Sequence, residues 1–244
     1  MAALLAATAL TACTDEKAPA EVDWPTQIVN PDAFAFRVVV GMTDGAPREG
    51  TPGDGEATTL DQVWEKVGDE AREAAEALTA PVPAGTDETA FKPFATLTPA
   101  EVQLLPAEIA FNVPYVHCGQ LLELPREFPD PATETVLCDT ADAKYRLRPV
   151  AINATGLRNA TVDSDTLNGG WKIILDFTGD GSATWAELTG ANVNNQVAMV
   201  LGDEVLSAPT IMSAITAGTT EISGRFTQTE ARELVSRIND ALTN

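Results

Sequence analysis

Between residues 171 and 224 the sequence reads WKIILDFTGDGSATWAELTGANVNNQVAMVLGDEVLSAPTIMSAITAGTTEISG, and its punctuation leaves few folds open. Residues 172–177 are an apolar run with a β-branched and aromatic bias, too short for a helix and typical of a buried strand. Turn chemistry follows at Thr178, Gly179, Asp180, Gly181 and Ser182, where Asp180 or Ser182 can accept a hydrogen bond from the free N–H groups of a helix start. That helix is expected to turn Trp185, Leu188 and Val193 inward. Residues 196–201 form a second apolar strand, Gly202 and Asp203 a two-residue hairpin signal, and residues 204–207 the return strand. A strand, a helix and a hairpin at this spacing predict an α+β unit whose antiparallel sheet carries its helices on one face.

The blocks on either side extend the pattern. Residues 145–152 read as extended, and residues 161–167 are expected to pair across Asn168 and Gly169 with the strand at Trp171. Residues 219–223 give another strand. Thr227-Gln228-Thr229-Glu230 is a capping box that opens a helix with Ala231, Leu234, Val235, Ile238 and Leu242 on its buried face. The ordered blocks TGDG, ELT, QVAMVL, VLSAPTI, AITAG and EISGRFTQTEARELV resemble the head of the first extracytoplasmic domain of SecD, a subunit of the bacterial preprotein-export machinery. The resemblance covers roughly residues 144–242.

Upstream, residues 34–40 read as a strand and residues 41–55 as a loop rich in Gly, Pro and Asp. Leu60, Val63, Trp64, Val67, Ala71, Ala74, Ala75 and Leu78 share one helical face, which predicts a single amphipathic helix over residues 59–78, packed as core. Pro81 and Pro83 stop it, and a loop is expected to run on to Phe94. Thr98-Pro99-Ala100-Glu101 is a second capping box, opening a short helix over residues 99–105. Residues 108–112 and 136–138 are expected as short strands. The domain reading is a signal peptide at 1–12, a flexible tether at 13–33, a smaller N-terminal α+β lobe at 34–143 and the SecD-head-like lobe at 144–244.

The N-terminal run MAALLAATALTA is too short to span about 30 Å of hydrocarbon and suits the core of a signal peptide. It ends in Leu10-Thr11-Ala12-Cys13, which resembles the bacterial lipobox and implies lipidation of Cys13; no Lys or Arg precedes the run, which departs from that pattern. The Asp, Glu, Lys, Pro and Ala that follow suit a tether, with Trp24 as its one large apolar residue. A lipid anchor would hold the chain on the outer face of the cytoplasmic membrane. Cys118 and Cys138 then remain as a pair, either two buried thiols or a disulfide. Cysteines flank a comparable loop in SecD-like proteins of high-GC Gram-positive bacteria, and that resemblance implies the bridge.

The chemistry-bearing patterns are sparse. With 36 acidic against 15 basic residues the net charge is −21, which repels a nucleic-acid backbone and is most simply a solvated surface. Asp176, Thr178, Asp180 and Glu187 stand at the ligand spacing of a calcium loop, with Gly181 at its sharp turn. A strand precedes them where such a loop needs a helix, so they are expected to form a strand-to-helix turn and no metal is assigned. His117 is the only histidine, and it could activate Cys118 only if that thiol were free. Ser207-Ala208-Pro209 lacks the setting of a nucleophile elbow, and the pairs Asp139 with Asp142 and Asp163 with Asp165 read as solvated loop charges. No catalytic residue and no cofactor is expected.

The resemblance implies contact with unfolded exported polypeptides and with Sec translocon subunits. In SecD the last helix leads into membrane-spanning segments that couple export to a proton gradient. No apolar run of about 20 residues follows the signal here, so binding without a motor is expected. The apolar residues 207–218, with Met212 and Ile215, or an exposed sheet edge, are the expected polypeptide contacts, the alternative being that Ile211 and Ile215 fill the core. The other reading, from a different class, is an envelope lipoprotein that reuses the same scaffold for a small ligand or another envelope protein.

Overall fold

A computed structural model describes residues 33–50, 53, 57–83, 85–122, 129–165 and 169–242, without the side chains of 224 and 225. The expected signal peptide, Cys13, the tether up to residue 32 with Trp24, and Asn168 lie outside the described residues, whereas Ala33, the last residue of the expected tether, is buried in the core.

Among the described residues, eight strands form two sheets. The strands are β1 (Phe34–Asp44), β2 (Thr135–Cys138), β3 (Ala143–Asn153), β4 (Leu157–Ser164), β5 (Trp171–Phe177), β6 (Val197–Leu201), β7 (Glu204–Ser207) and β8 (Thr219–Phe226). One sheet closes into a barrel in the order β1-β3-β2-β7-β6, and the other is three-stranded in the order β4-β5-β8. Every pairing is antiparallel except a parallel contact of β2 with β7 at Cys138 and Glu204. The α+β class holds. β1 pairs on one side with β3 and on the other with β6, so a strand from the N-terminal part completes the barrel of the C-terminal part.

β6 explains why the barrel is possible. All five of its residues are buried, because its two faces serve different cores. Val197, Met199 and Leu201 join Phe34, Phe36, Phe177 and Trp185 in the core beneath the three-stranded sheet. Ala198 and Val200 point the other way and fill the barrel with Leu137, Tyr145 and Leu147. The first core is aromatic at its centre, where Trp185 lies 4.7 Å from Phe36 and 5.3 Å from Phe177 between ring centroids. A third core lies under the helices of the N-terminal part, around Trp64, Phe91, Phe94, Phe111 and Val116.

Those helices are α1 (Leu60–Val67), α2 (Asp69–Glu76), α3 (Pro99–Val102), α4 (Ala107–Asn112) and α5 (Cys118–Leu121). The single helix expected over 59–78 is two. Gly68 sits at φ +85°, where its N–H closes α1 on the Trp64 carbonyl and its backbone redirects the chain. The apolar face is nevertheless continuous, with Val63, Trp64, Val67, Ala71 and Ala75 all buried. Residues 108–112, expected as a strand, belong to helix α4, which Pro106 starts by accepting from the Ala110 N–H. Ile109, Ala110 and Phe111 are buried on successive positions, a run whose periodicity does not separate helix from strand. The expected loop before Phe94 contains a 3-10 segment at Thr89–Thr96, and β1 extends through Asp44 into the expected loop because β3 pairs with it that far. The capping box at Thr98 is present, although its helix stops at Val102.

The C-terminal helices are α6 (Gly179–Ala191) and α7 (Gln228–Leu242). The cap of α6 is Thr178, not Asp180 or Ser182: its hydroxyl accepts from the Gly181 N–H at 3.1 Å and donates to the Gly156 carbonyl at 3.2 Å. Gly181 then packs onto the Gly156 backbone so closely that a Cβ would collide with it. Trp185 is buried and Leu188 packs against the core, but Val193 lies past the end of the helix and is exposed. The α7 capping box forms between Thr227 and Glu230, and Ala231, Leu234 and Ile238 are buried as expected.

Candidate polypeptide-binding surface

Residues 208–218 leave the barrel after β7 and cross the outside of the protein before β8. Pro209 lacks the backbone N–H that a helix interior or a central strand would use, and the stretch is held by its neighbours. Gln196 forms a bridge with Thr210, the Ile211 N–H donates to the Asn195 carbonyl at 2.9 Å, and the Asn194 N–H donates to the Ile211 carbonyl at 2.8 Å. Farther on, the Ile215 N–H donates to the Thr189 hydroxyl of α6 at 2.9 Å. These contacts sort the apolar side chains: Ile211 enters the core, Ile215 is partly buried against it, and Met212 is 77% exposed. Of Met212 and Ile215, only Met212 presents its side chain freely to a ligand.

The sheet edges are unequal. β4, an edge of the three-stranded sheet, is capped at its middle by Asn239 of α7, which bonds both backbone groups of Ala160. β8 is the other edge of that sheet. β1 loses its second neighbour partway: β6 pairs with it as far as Val38, the Val39 N–H donates to the Gln196 carbonyl at 3.0 Å, and among the described residues no strand lies on that side of residues 40–44. Val40 and Met42 on this stretch are exposed.

The remaining candidates are dispersed or engaged. Asp176 lies on β5, Thr178 caps α6, and Asp180 and Glu187 follow on that helix. Among the described residues no group of three His, Cys, Asp or Glu side chains is placed to hold a metal ion. A cleft of about 630 Å³ at the start of α6 is lined by Ile152, Asn153, Thr178 and Asp180, the last of which opposes an anion there. Cys118 is bonded to Cys138 with their Cα atoms 5.7 Å apart, which removes the thiolate that His117 would need to activate. Asp165 is buried, unlike the solvated charge expected, and Asp139 organises its turn by accepting from the Ala141 and Ala143 N–H groups, both at 2.9 Å. The Tyr145 hydroxyl donates to Asp139, and burial together with that carboxylate pushes the phenol up to about 12.

Three buried polar groups bind backbone, and of these only Glu101 had a sequence signal, as the end of the Thr98 capping box. Arg37 reaches from β1 to the carbonyls of Thr133, Arg148 and Asp130. Lys144 is fully buried, and its ammonium donates to the carbonyls of Ala110, Val113 and Val116 at 3.0, 3.0 and 2.7 Å. Burial pulls its pKa down to about 7, against the raising influence of Asp44. Glu101 is also fully buried and gathers the Ala57 N–H, the Thr98 N–H and the Lys66 ammonium. Burial raises this carboxyl, but those three donors outweigh it and hold it below the ordinary glutamate value. All three groups tie the fold together, and Lys144 also lines a small cleft of about 150 Å³ with Asp44, Arg48 and Glu88.

Residues 133–242 match the family model of the SecDF P1 head subdomain. The chain is 38% identical over 112 residues to the protein translocase subunit SecD of Mycobacterium tuberculosis, covering 44% of this chain and 19% of that one. It is 34% identical over 119 residues to SecD of Streptomyces coelicolor, covering 45% of this chain and 21% of the relative. The chain thus spans about a fifth of the length of these relatives. A solved structure of SecDF, described as a membrane component that enhances protein export, aligns over 86% of this chain and 92% of its own at 19% identity, with a TM-score of 0.36.

Proposed function

We infer, from the SecD head-like domain that residues 133–242 form, that this chain serves protein export by holding exported polypeptides outside the membrane. The match over that domain carries the reading. The chain acts as a lipoprotein anchored through Cys13, its head close to the translocon, and it binds rather than catalyses. Support for binding comes from the chemistry of the surface: Met212 is presented on a segment fixed at both ends, beside a strand edge left open. No described helix is long and apolar enough to cross a membrane.

The test is photocrosslinking in cells from a probe at Met212, with membrane fractionation of wild type and Cys13→Ala. Crosslinks to exported chains or translocon subunits, lost when Cys13→Ala leaves the membrane, are expected. Crosslinks confined to mature envelope proteins would replace the export role with a borrowed scaffold.

A further inference from the structure

Four large apolar side chains are exposed among the described residues: Val40 at 43%, Met42 at 55%, Val193 at 38% and Met212 at 77%. They come from three separate parts of the sequence, yet backbone hydrogen bonds draw those parts together around Gln196. The Gln196 carbonyl accepts from the Val39 N–H, immediately before the open stretch that begins at Val40, and Gln196 bridges to Thr210 on its other side. Asn194, next to Val193, donates to the carbonyl of Ile211, next to Met212. Asn194 itself has φ +68°, and there the chain turns out of the ladder that β6 makes with β1. The place alongside residues 40–44 that β6 would have continued to fill is therefore left without a strand among the described residues.

The same three pieces carry no charge. Residues 38–43, 188–202 and 205–220 contain no Asp, Glu, Lys or Arg, in a chain whose net charge is −21. Exposed strand edges are ordinarily guarded by charged side chains, prolines or bulges; residues 40–43 carry neither charge nor proline, while the register with β3 shifts between Val39 and Gly41 and Asp44 ends the strand. A second copy of the chain would bring another −21 to the interface, so self-association is disfavoured at low salt. An uncharged chain in extended form meets no such opposition. Along it, alternate side chains would fall on the face of Val40 and Met42, while its backbone would satisfy the open side of β1.

We propose that residues 40–44 of β1, flanked by Val193 and Met212, take an extended, uncharged apolar polypeptide segment as an added strand. This deepens the polypeptide-binding reading above and rests on it, assigning it a surface and a class of ligand sequence.

The experiment is a fluorescence-anisotropy titration of the purified full chain with a labelled peptide of alternating valine and threonine. A second probe is reduced, carboxamidomethylated α-lactalbumin, a permanently unfolded protein. Both probes are expected to bind wild type, the uncharged valine–threonine peptide with affinity insensitive to salt because neither it nor the surface carries charge. Val40→Lys and Met42→Lys are expected to weaken both by about tenfold, and a peptide with proline at alternate positions to compete poorly because it cannot donate as a strand. Circular dichroism and thermal melting establish that the variants fold; if either β1 variant does not, Met212→Lys, at the most exposed of the four positions, is expected to weaken binding in its place. Undiminished binding by folded variants would overturn the β1 site while leaving polypeptide binding intact. No binding of either probe by wild type would overturn both, and a concentration-dependent dimer abolished by Met42→Lys would give the surface to a second copy instead.

Discussion

Asn239 of α7 bonds both backbone groups of Ala160 on β4: its Oδ1 accepts from the Ala160 N–H at 2.7 Å and its Nδ2 donates to the Ala160 carbonyl at 3.0 Å. A side-chain amide here does what a neighbouring strand would do, and it does so at the middle of an edge strand. The edge is blunted without charge, and α7 is fixed in register against the sheet. Asn239→Ala is expected to destabilise the protein by about 2 kcal/mol, since two part-buried backbone groups lose their partner. Urea denaturation would read the change in midpoint. An unchanged midpoint would mean that water replaces the amide at no cost.

Lys144 supplies a second prediction. Replacing it with methionine keeps the apolar stem but takes a donor from three carbonyls, of which, among the described residues, only that of Val113 keeps another, the Val116 N–H, for a loss of about 3 kcal/mol near pH 7. Its pH dependence has a definite sign. The folded pKa, about 7, lies below the unfolded lysine value, so the unfolded chain binds more protons between the two, and stability rises with pH across that window. Wild type should therefore gain on Lys144→Met from pH 7 to pH 10, by at most about 1.4 kcal/mol per pH unit. Parallel denaturation series of the two proteins over that range check it.

Glu101 behaves in the opposite sense. Its carboxyl is held below the ordinary value of 4.5, so its contribution is fully present above that value and is lost as pH falls through the lower folded pKa. Glu101→Gln should remove that acid-sensitive part of the stability curve. Glu101→Ala, which leaves the Ala57 and Thr98 N–H groups and Lys66 without this partner, is expected to cost about 3 kcal/mol at pH 7. Thermal melting from pH 3 to pH 7 separates the two variants.

The Cys118–Cys138 bridge spans a sequence separation of 20 and joins α5 to β2, and so the helical part to the barrel. Substituting both cysteines with serine is expected to lower stability by about 3 kcal/mol through the unfolded chain's regained freedom. The same loss should follow from a reductant in wild type and be absent in the double variant.

Much of the fold was legible because its signals are local. Capping boxes at Thr98 and Thr227 and the hairpin at Gly202 specify hydrogen bonds within a few residues of themselves, and each formed where its sequence stands. The expected helix over 59–78 was divided because the apolar period runs through Gly68 unbroken, while the backbone there takes a positive φ that the period does not report. For the candidate surface, Met212 was legible as an apolar residue in an apolar loop segment. Val40 was not, since an apolar run in a strand reads equally as core, and Met42 fell in the loop expected over residues 41–55, so neither was read as part of one strand edge.

By itself the sequence determined which segments become strands and helices across the head-like domain, and the kinship of that domain, because period, caps and turns act over a few bonds. The tertiary structure alone decided which sides those elements turn inward. It placed Lys144 beneath three carbonyls, brought Asn239 to an edge lying 79 residues away, and left β1 open beyond Val39. Each of these depends on which distant backbone groups remain unpaired after the sheets have closed, and a buried polar group must find whatever partner that closure leaves.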